Sequence, residues 1–171
     1  MALISSLEKD QIKETIISVY EKFEKDTGKV PEWVKVMAHR PEILKEFVEL
    51  FKAVMGEGEI ETSLKWKIAY TVSNQLKCPF CVDVTTKMLK KLGASEEMIQ
   101  KIKERKDLPE EEKDILELVK DVTDNAHVDN PEIFERLRKK LSEPQIVELV
   151  SVIGLFNYIN RFNNTLGVLP E

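Results

Sequence analysis

Cysteine is nearly absent from this chain of 171 residues: there are two, and both sit in Cys78-Pro79-Phe80-Cys81. Histidine is as scarce, with only His39 and His127. These shortages exclude much. A structural zinc site needs four donors at suitable spacing, and the cysteine pair has no companion ligands near it in sequence. A cysteine hydrolase needs a histidine base beside the thiol, and nothing in the sequence specifies one. Alternating apolar and polar runs are missing, so no strands are expected. No cluster of basic and aromatic residues offsets the net charge of −5, which argues against nucleic acid as a partner. The most apolar stretch, Ile146 to Ile159, contains Glu148 and is too short to span a bilayer. The opening Met1-Ala2-Leu3-Ile4-Ser5-Ser6 has no basic region and no long apolar run. No secretory signal and no membrane association are therefore expected, and the expected compartment is the cytoplasm.

What is present reads as helix. A hydrophobic fraction of 42% over this length is enough for one core, predicting a single domain over 1–171. Seven prolines divide the chain, most of them where a helix would begin, because the first helical position needs no N–H. The pattern predicts an all-α fold of eight or nine helices with short loops. The first helix is expected from Leu7 to Lys25, with Ser5 and Glu8 as a capping box and Ile12, Ile16, Val19 and Phe23 inward. Another is expected from Pro41 to Met55, with Ile43, Phe47, Leu50, Phe51 and Val54 inward. Glu61 to Gln75, Pro79 to Leu92, Glu96 to Arg105, Pro109 to Asn125 and Pro131 to Leu141 follow. Ser142 and Gln145 then open a long last helix ending at Gly167. Pro41-Glu42-Ile43-Leu44 is echoed by Pro131-Glu132-Ile133-Phe134, and Leu92-Gly93-Ala94 by Leu166-Gly167-Val168. The echo points to either an internal duplication or a coincidence of helix starts.

The cysteine pair carries the chemistry. Cys78 falls at a helix N-cap and Cys81 in the first turn, where unpaired N–H groups and the helix dipole stabilise a thiolate. Two sulfurs at this spacing can act as nucleophile and resolving thiol. Packing as two small buried hydrophobes is the competing reading. His39, at a helix end, is expected to cap carbonyls, and His127 lies in a loop. The last helix carries Asn157, Asn160, Asn163 and Asn164 among apolar residues, which predicts an interhelix or intersubunit amide network more than substrate contact.

The order of several segments resembles a known family. Val30-Pro31 and the Pro41 helix come first. Ala69-Tyr70-Thr71-Val72-Ser73-Asn74-Gln75 then leads into the cysteine pair. Leu92-Gly93-Ala94, Asn157-Tyr158-Ile159-Asn160-Arg161-Phe162 and Leu166-Gly167-Val168 close the series. Together they resemble the carboxymuconolactone decarboxylase / alkylhydroperoxidase D (AhpD-like) superfamily, in its peroxidase-related C-x-x-C branch, over 30–168, with 1–29 as an N-terminal helical extension. The resemblance implies an AhpD-like helical bundle assembling as homo-oligomers, often trimers or hexamers. It implies reduction of organic hydroperoxides by a Cys78/Cys81 thiol–disulfide couple, with no cofactor and no metal, and a protein or small-thiol reductant. It makes Cys81 the more reactive sulfur and Cys78 the resolving one, whereas the helix N-cap argument favours Cys78.

The chain departs from the family's proton relay. Trp66 stands where a glutamate is expected, Phe80 and Thr85 where histidines are. General-base help is typically worth roughly 10²–10⁴-fold, so activity is expected to fall unless another group replaces it. Asp83 is close in sequence but on a different helix face, and Thr85 could hydrogen-bond a sulfur without titrating. Lys65 and Lys67 either stabilise a thiolate or form solvated surface. Two further readings stay open: a non-enzymatic oligomeric ligand-binding or scaffold protein, and a decarboxylase or isomerase acting on a small organic acid.

Overall fold

Proline, serine and glycine set the helix boundaries, as their backbone chemistry requires. The computed structural model describes residues 2–170; Met1 of the opening stretch and Glu171 at the end of the expected domain lie outside them. Among the described residues there are nine α-helices and one short 3-10 turn, and no strand. They are α1 (Ile17–Thr27), α2 (Glu32–Met37), α3 (Pro41–Met55), α4 (Thr62–Gln75), α5 (Pro79–Lys91), α6 (Glu96–Glu104), α7 (Glu110–Asn125), α8 (Pro131–Arg138) and α9 (Glu143–Leu166). The Ser95 hydroxyl accepts the Met98 N–H, and Ser142 with Gln145 forms the complete capping box expected for α9. Gly93 and Gly167 follow α5 and α9 with φ of 91° and 69°, the left-handed region where a side chain would be strained. No helix among the described residues is long and apolar enough to cross a membrane.

The chain departs from the expected first helix. Only a 3-10 turn at Glu14–Ile16 and then α1 are helical; residues 2–13 run as a strap across the bundle. Ser5 and Glu8 do not cap each other. The Ser5 hydroxyl faces His39 at 3.5 Å, Glu8 pairs with Lys35 at 2.8 Å, and the Leu7 N–H donates to the Lys35 carbonyl at 3.2 Å. Leu3 N–H reaches the Leu166 carbonyl at the far end of α9. Tertiary partners on α2 and α9 have displaced the local helical bonds. The inward face expected of α3 also shifts: Phe47 and Val54 are buried with Leu44 and Val48, but Ile43 and Leu50 are 41% and 52% exposed. The sequence echo holds at the helix starts and glycine ends alone, since three helices lie between the first pair of markers and two between the second.

α4 is the hub. It packs against α5, α7 and α9, and Ile68, Ala69, Val72 and Ser73 are completely enclosed. Enclosure extends to a charge: Lys65 is 0% exposed, neither beside a thiolate nor in solvent. Its ammonium pairs with Glu148 of α9 and donates to the Gly56 carbonyl at 2.6 Å. Glu148 also accepts the N–H groups of Glu59 (2.5 Å) and Ile60 (3.0 Å). Burial alone would raise the Glu148 carboxyl, but Lys65 and these two N–H groups hold it below the ordinary carboxylate range. Gly58 passes so close that a Cβ would overlap the same carboxylate. Lys67 is half-buried and pairs with Glu112 of α7 at 2.7 Å. Removing one member of a buried ion pair leaves an uncompensated charge. Glu148→Ala is therefore expected to lower the unfolding free energy by about 3–5 kcal/mol in denaturant titration, with Lys65→Met/Glu148→Leu recovering part of the loss, because the Glu59 and Ile60 N–H groups still lack their acceptor.

Candidate functional site: a dithiol at a helix junction

α4 ends in a left-handed turn made without glycine. Lys77 takes φ of 51°, its N–H donates to the Asn74 carbonyl, and the Cys78 N–H donates to the Ser73 carbonyl, each at 3.2 Å. This is a Schellman close, and Cys78 is its last residue. The same Cys78 is the N-cap of α5, with Pro79 in the first helical position. Its Sγ occupies the place of a capping oxygen and accepts the Cys81 N–H at 3.3 Å. Cys78 and Cys81 are 0% and 4% exposed, and both are free thiols.

The two sulfurs are not equivalent. The Cys81 thiol donates to Cys78, which holds Cys78 below the ordinary value of 9.0; burial opposes this, and the Cys81 and Phe80 N–H groups reinforce it. Cys81 is pushed strongly up because its proton is engaged by Cys78, because it is buried, and because a thiolate lies beside it. An amide from α9 and a backbone N–H oppose this: Asn163 Nδ2 donates to Cys81 Sγ at 3.4 Å, and the Cys81 N–H acts in the same sense. Asn163 is fully buried, and its Oδ1 has no partner among the described residues.

Cys81, but not Cys78, lines a cavity of about 800 Å³. Its inner walls are aromatic: Phe51, Trp66, Phe80 and Phe156, with the Trp66 and Phe156 rings edge to face at 6.0 Å. Trp66, Phe80, Asp83 and Thr85 all line it. The Thr85 hydroxyl donates to the Cys81 carbonyl at 2.7 Å, and no Thr85 bond to a sulfur forms. Asp83 pairs with Lys87 at 2.6 Å. The histidines lie elsewhere. His39 stands at the end of α2 as expected, but its Nε2 donates to the Ser5 carbonyl of the N-terminal strap at 2.8 Å instead of capping a helix carbonyl, and His127 sits between the Asn125 carbonyl and Asp129.

The asparagines of α9 form the interhelix network. Asn157 reaches Thr123 of α7, Asn160 reaches Ser73 of α4, and Asn164 reaches the Leu76 carbonyl after α4. Sequence reasoning grouped Asn163 with these but missed its contact with the sulfur. The three-residue spacing of Asn160 and Asn163 was the available signal, since it puts both amides on one helix face. The contribution of α1 to the cavity, through Val19, Lys22 and Phe23, had no sequence signal.

The all-helical bundle and the cysteine pair at a helix junction agree with the AhpD-like resemblance of the sequence. A sequence model of the carboxymuconolactone decarboxylase family matches residues 41–104. Over 131 residues the chain is 30% identical to the uncharacterised protein YdfG of Bacillus subtilis, covering 74% of this chain and 88% of that one. In structure it is similar to a peroxidase-related protein from Ralstonia eutropha described as an alkylhydroperoxidase AhpD core, with TM-score 0.87, 22% identity, and 99% and 92% of the two chains covered. It is also similar to the debrominase Bmp8, solved in complex with 2,3,4-tribromopyrrole, with TM-score 0.85, 22% identity, and 99% and 91% covered. The chain belongs to the carboxymuconolactone decarboxylase / AhpD-like superfamily.

The thiol asymmetry is measurable by the ultraviolet absorbance of thiolate. The first thiolate is expected below pH 9.0 and the second well above it, because the pair shares one proton. A lowered Cys78 stabilises the fold above pH 9.0, and that contribution is lost as pH falls through its folded value; the raised Cys81 acts in the opposite sense, stabilising below 9.0 and losing its contribution as pH rises. In Cys81→Ala the Cys78 midpoint should rise, because its largest stabilising partner is gone. Two thiolates appearing together above 9.0 would contradict this assignment.

Proposed function

We propose that this protein is a dithiol oxidoreductase that reduces organic hydroperoxides, with Cys81 as nucleophile and Cys78 as resolving thiol. The observation that carries the reading is the pairing itself: Cys81 opens on the cavity, while the thiolate-favouring Cys78 is sealed behind it and hydrogen-bonded to it. Cys81 passes its proton to Cys78 along that bond. The Cys81 thiolate attacks the terminal oxygen of the hydroperoxide, the O–O bond breaks, and the departing alkoxide takes the proton from Cys78 to become the alcohol. Cys81 is now a sulfenic acid. The Cys78 thiolate attacks its sulfur, expels hydroxide and closes the disulfide. Two electrons leave the dithiol, and a protein or small-thiol reductant returns them. In this scheme Cys78 performs the base function absent at Trp66, Phe80 and Thr85. Asn163 is a positioning residue: its amide supports the Cys81 thiolate, and its unpaired Oδ1 can accept the peroxide O–H.

A decarboxylase or isomerase needs a general base beside its substrate; Trp66, Phe80, Phe156, Thr85 and Asn163 offer none, and of the carboxylates that line the cavity Asp83 and Glu49 are engaged by Lys87 and Lys52 while Asp26 is exposed on α1. The likeness to a debrominase names a second substrate class for the same two electrons, an aryl bromide reduced to arene and bromide. Cumene hydroperoxide and 2,3,4-tribromopyrrole, each supplied with dithiothreitol, separate the two. Cys81→Ser and Cys78→Ser are expected to abolish hydroperoxide consumption. Asn163→Leu is expected to lower kcat/KM by roughly tenfold, the upper range for one hydrogen bond. Unchanged turnover in both cysteine variants would sink the reading.

The exposed apolar residues Ile43, Leu50, Val147, Val150 and Tyr158 on α3 and α9 support self-association into a homo-oligomer. Leu50→Glu should reduce the mass measured by light scattering while leaving the protomer folded; a monomeric wild type would remove this part of the proposal.

A further inference from the structure

The mouth of the cavity differs in charge from the rest of the protein. The chain carries a net charge of −5, yet five lysines line this cavity against three carboxylates. Two of the carboxylates are matched at the mouth, Asp83 by Lys87 and Glu49 by Lys52. Lys22 on α1 and Lys45 on α3 are exposed lining residues, and no carboxylate lies within ion-pairing distance of either among the described residues. Glu49 records the local field: its carboxyl is held below the ordinary range first by Lys52, with Lys22 and Lys45 adding to the effect. Behind this cationic mouth the walls are apolar and aromatic, and at the inner end stand the Cys81 sulfur and the unpartnered Asn163 Oδ1. At about 800 Å³ the space suits a drug-sized molecule rather than a small peroxide.

We infer that the cavity binds an amphipathic organic anion: a carboxylate, held at Lys22 and Lys45, on a long-chain or aromatic body that lies along Phe51, Trp66 and Phe156. A hydroperoxide carried on that body at the end remote from the carboxylate would meet Cys81; this last element rests on the proposed peroxidase reading, whereas the binding does not. Lys45 lies within the family-model match of residues 41–104, whereas Lys22 belongs to α1 outside it, so the preference for an anion is set partly by the N-terminal extension.

The experiment compares probes that share a body and differ in charge, on the reduced full-length protein, by calorimetry and by the fluorescence of Trp66 and Trp33, both of which line the cavity. Decanoate is compared with decyltrimethylammonium, and 2-naphthylacetate with 2-naphthylacetamide. The carboxylates should bind roughly five- to tenfold more tightly at low salt, as expected for two exposed ion pairs, with the preference shrinking as salt is raised. Lys22→Gln/Lys45→Gln should abolish the preference, and Lys22→Glu/Lys45→Glu should reverse it; both positions are exposed, so the variants should fold. Equal binding of charged and uncharged probes, or a preference that survives the double Gln variant, overturns the inference. Linoleate hydroperoxide and its methyl ester then separate the two proposals. Carboxylate binding without peroxide turnover defeats the peroxidase reading alone, and cumene hydroperoxide turnover without carboxylate preference defeats this inference alone.

Discussion

One residue ends α4 and begins α5, and the site depends on that sharing. Cys78 donates its N–H backward to the Ser73 carbonyl, and its sulfur accepts the Cys81 N–H ahead. Lys77, left-handed at φ 51°, makes the turn between them, and Pro79 fixes the direction in which α5 leaves. With so little chain between the two helices, the sulfurs have no freedom to drift. Cys81 stands one turn into α5, toward Asn163, and the unpaired N–H groups of the helix start point at Cys78. The thiol asymmetry is a product of that backbone path.

The path is held from outside by α9. Near its beginning Glu148 meets the enclosed Lys65 of α4, and farther along Asn160 meets Ser73 of the same helix. Between these two fastenings Trp66 and Phe156 pack edge to face and form the inner wall of the cavity. Where the family relay would place an acid, this chain has an indole. An ionised carboxylate among Phe51, Trp66 and Phe156 would suffer desolvation, while an apolar body would not. The wall is thus better suited to holding an organic substrate than to moving its protons.

Much of the helix layout was legible because its signals are local. The Ser95 and Ser142 caps, the proline starts and the left-handed glycines after α5 and α9 act within one turn of backbone, and they set the observed boundaries to within a few residues. The first helix misled for the opposite reason. Ser5 and Glu8 have the spacing of a capping box, but His39 and Lys35 compete for the same side chains, and a local bond worth about 1 kcal/mol loses to a set of tertiary ones. Ile43 and Leu50 misled because apolar spacing says that a face is covered without saying whether this chain or another copy covers it.

The sequence by itself determined an all-helical chain of this family, placed its only cysteines at a helix start, and showed that the relay positions are filled by Trp66, Phe80 and Thr85. These properties depend on residue identity and short spacing, which a linear chain displays directly. Only the tertiary structure decided that Cys81 faces the cavity and Cys78 does not, that Asn163 reaches a sulfur from 82 residues away, and that Lys65 is buried against Glu148. It also brought Lys22 and Lys45 to one cavity mouth from separate helices. Those decisions belong to packing, because the opening pair that began as one motif becomes two chemically different sulfurs only when other helices enclose one and leave the other facing open space.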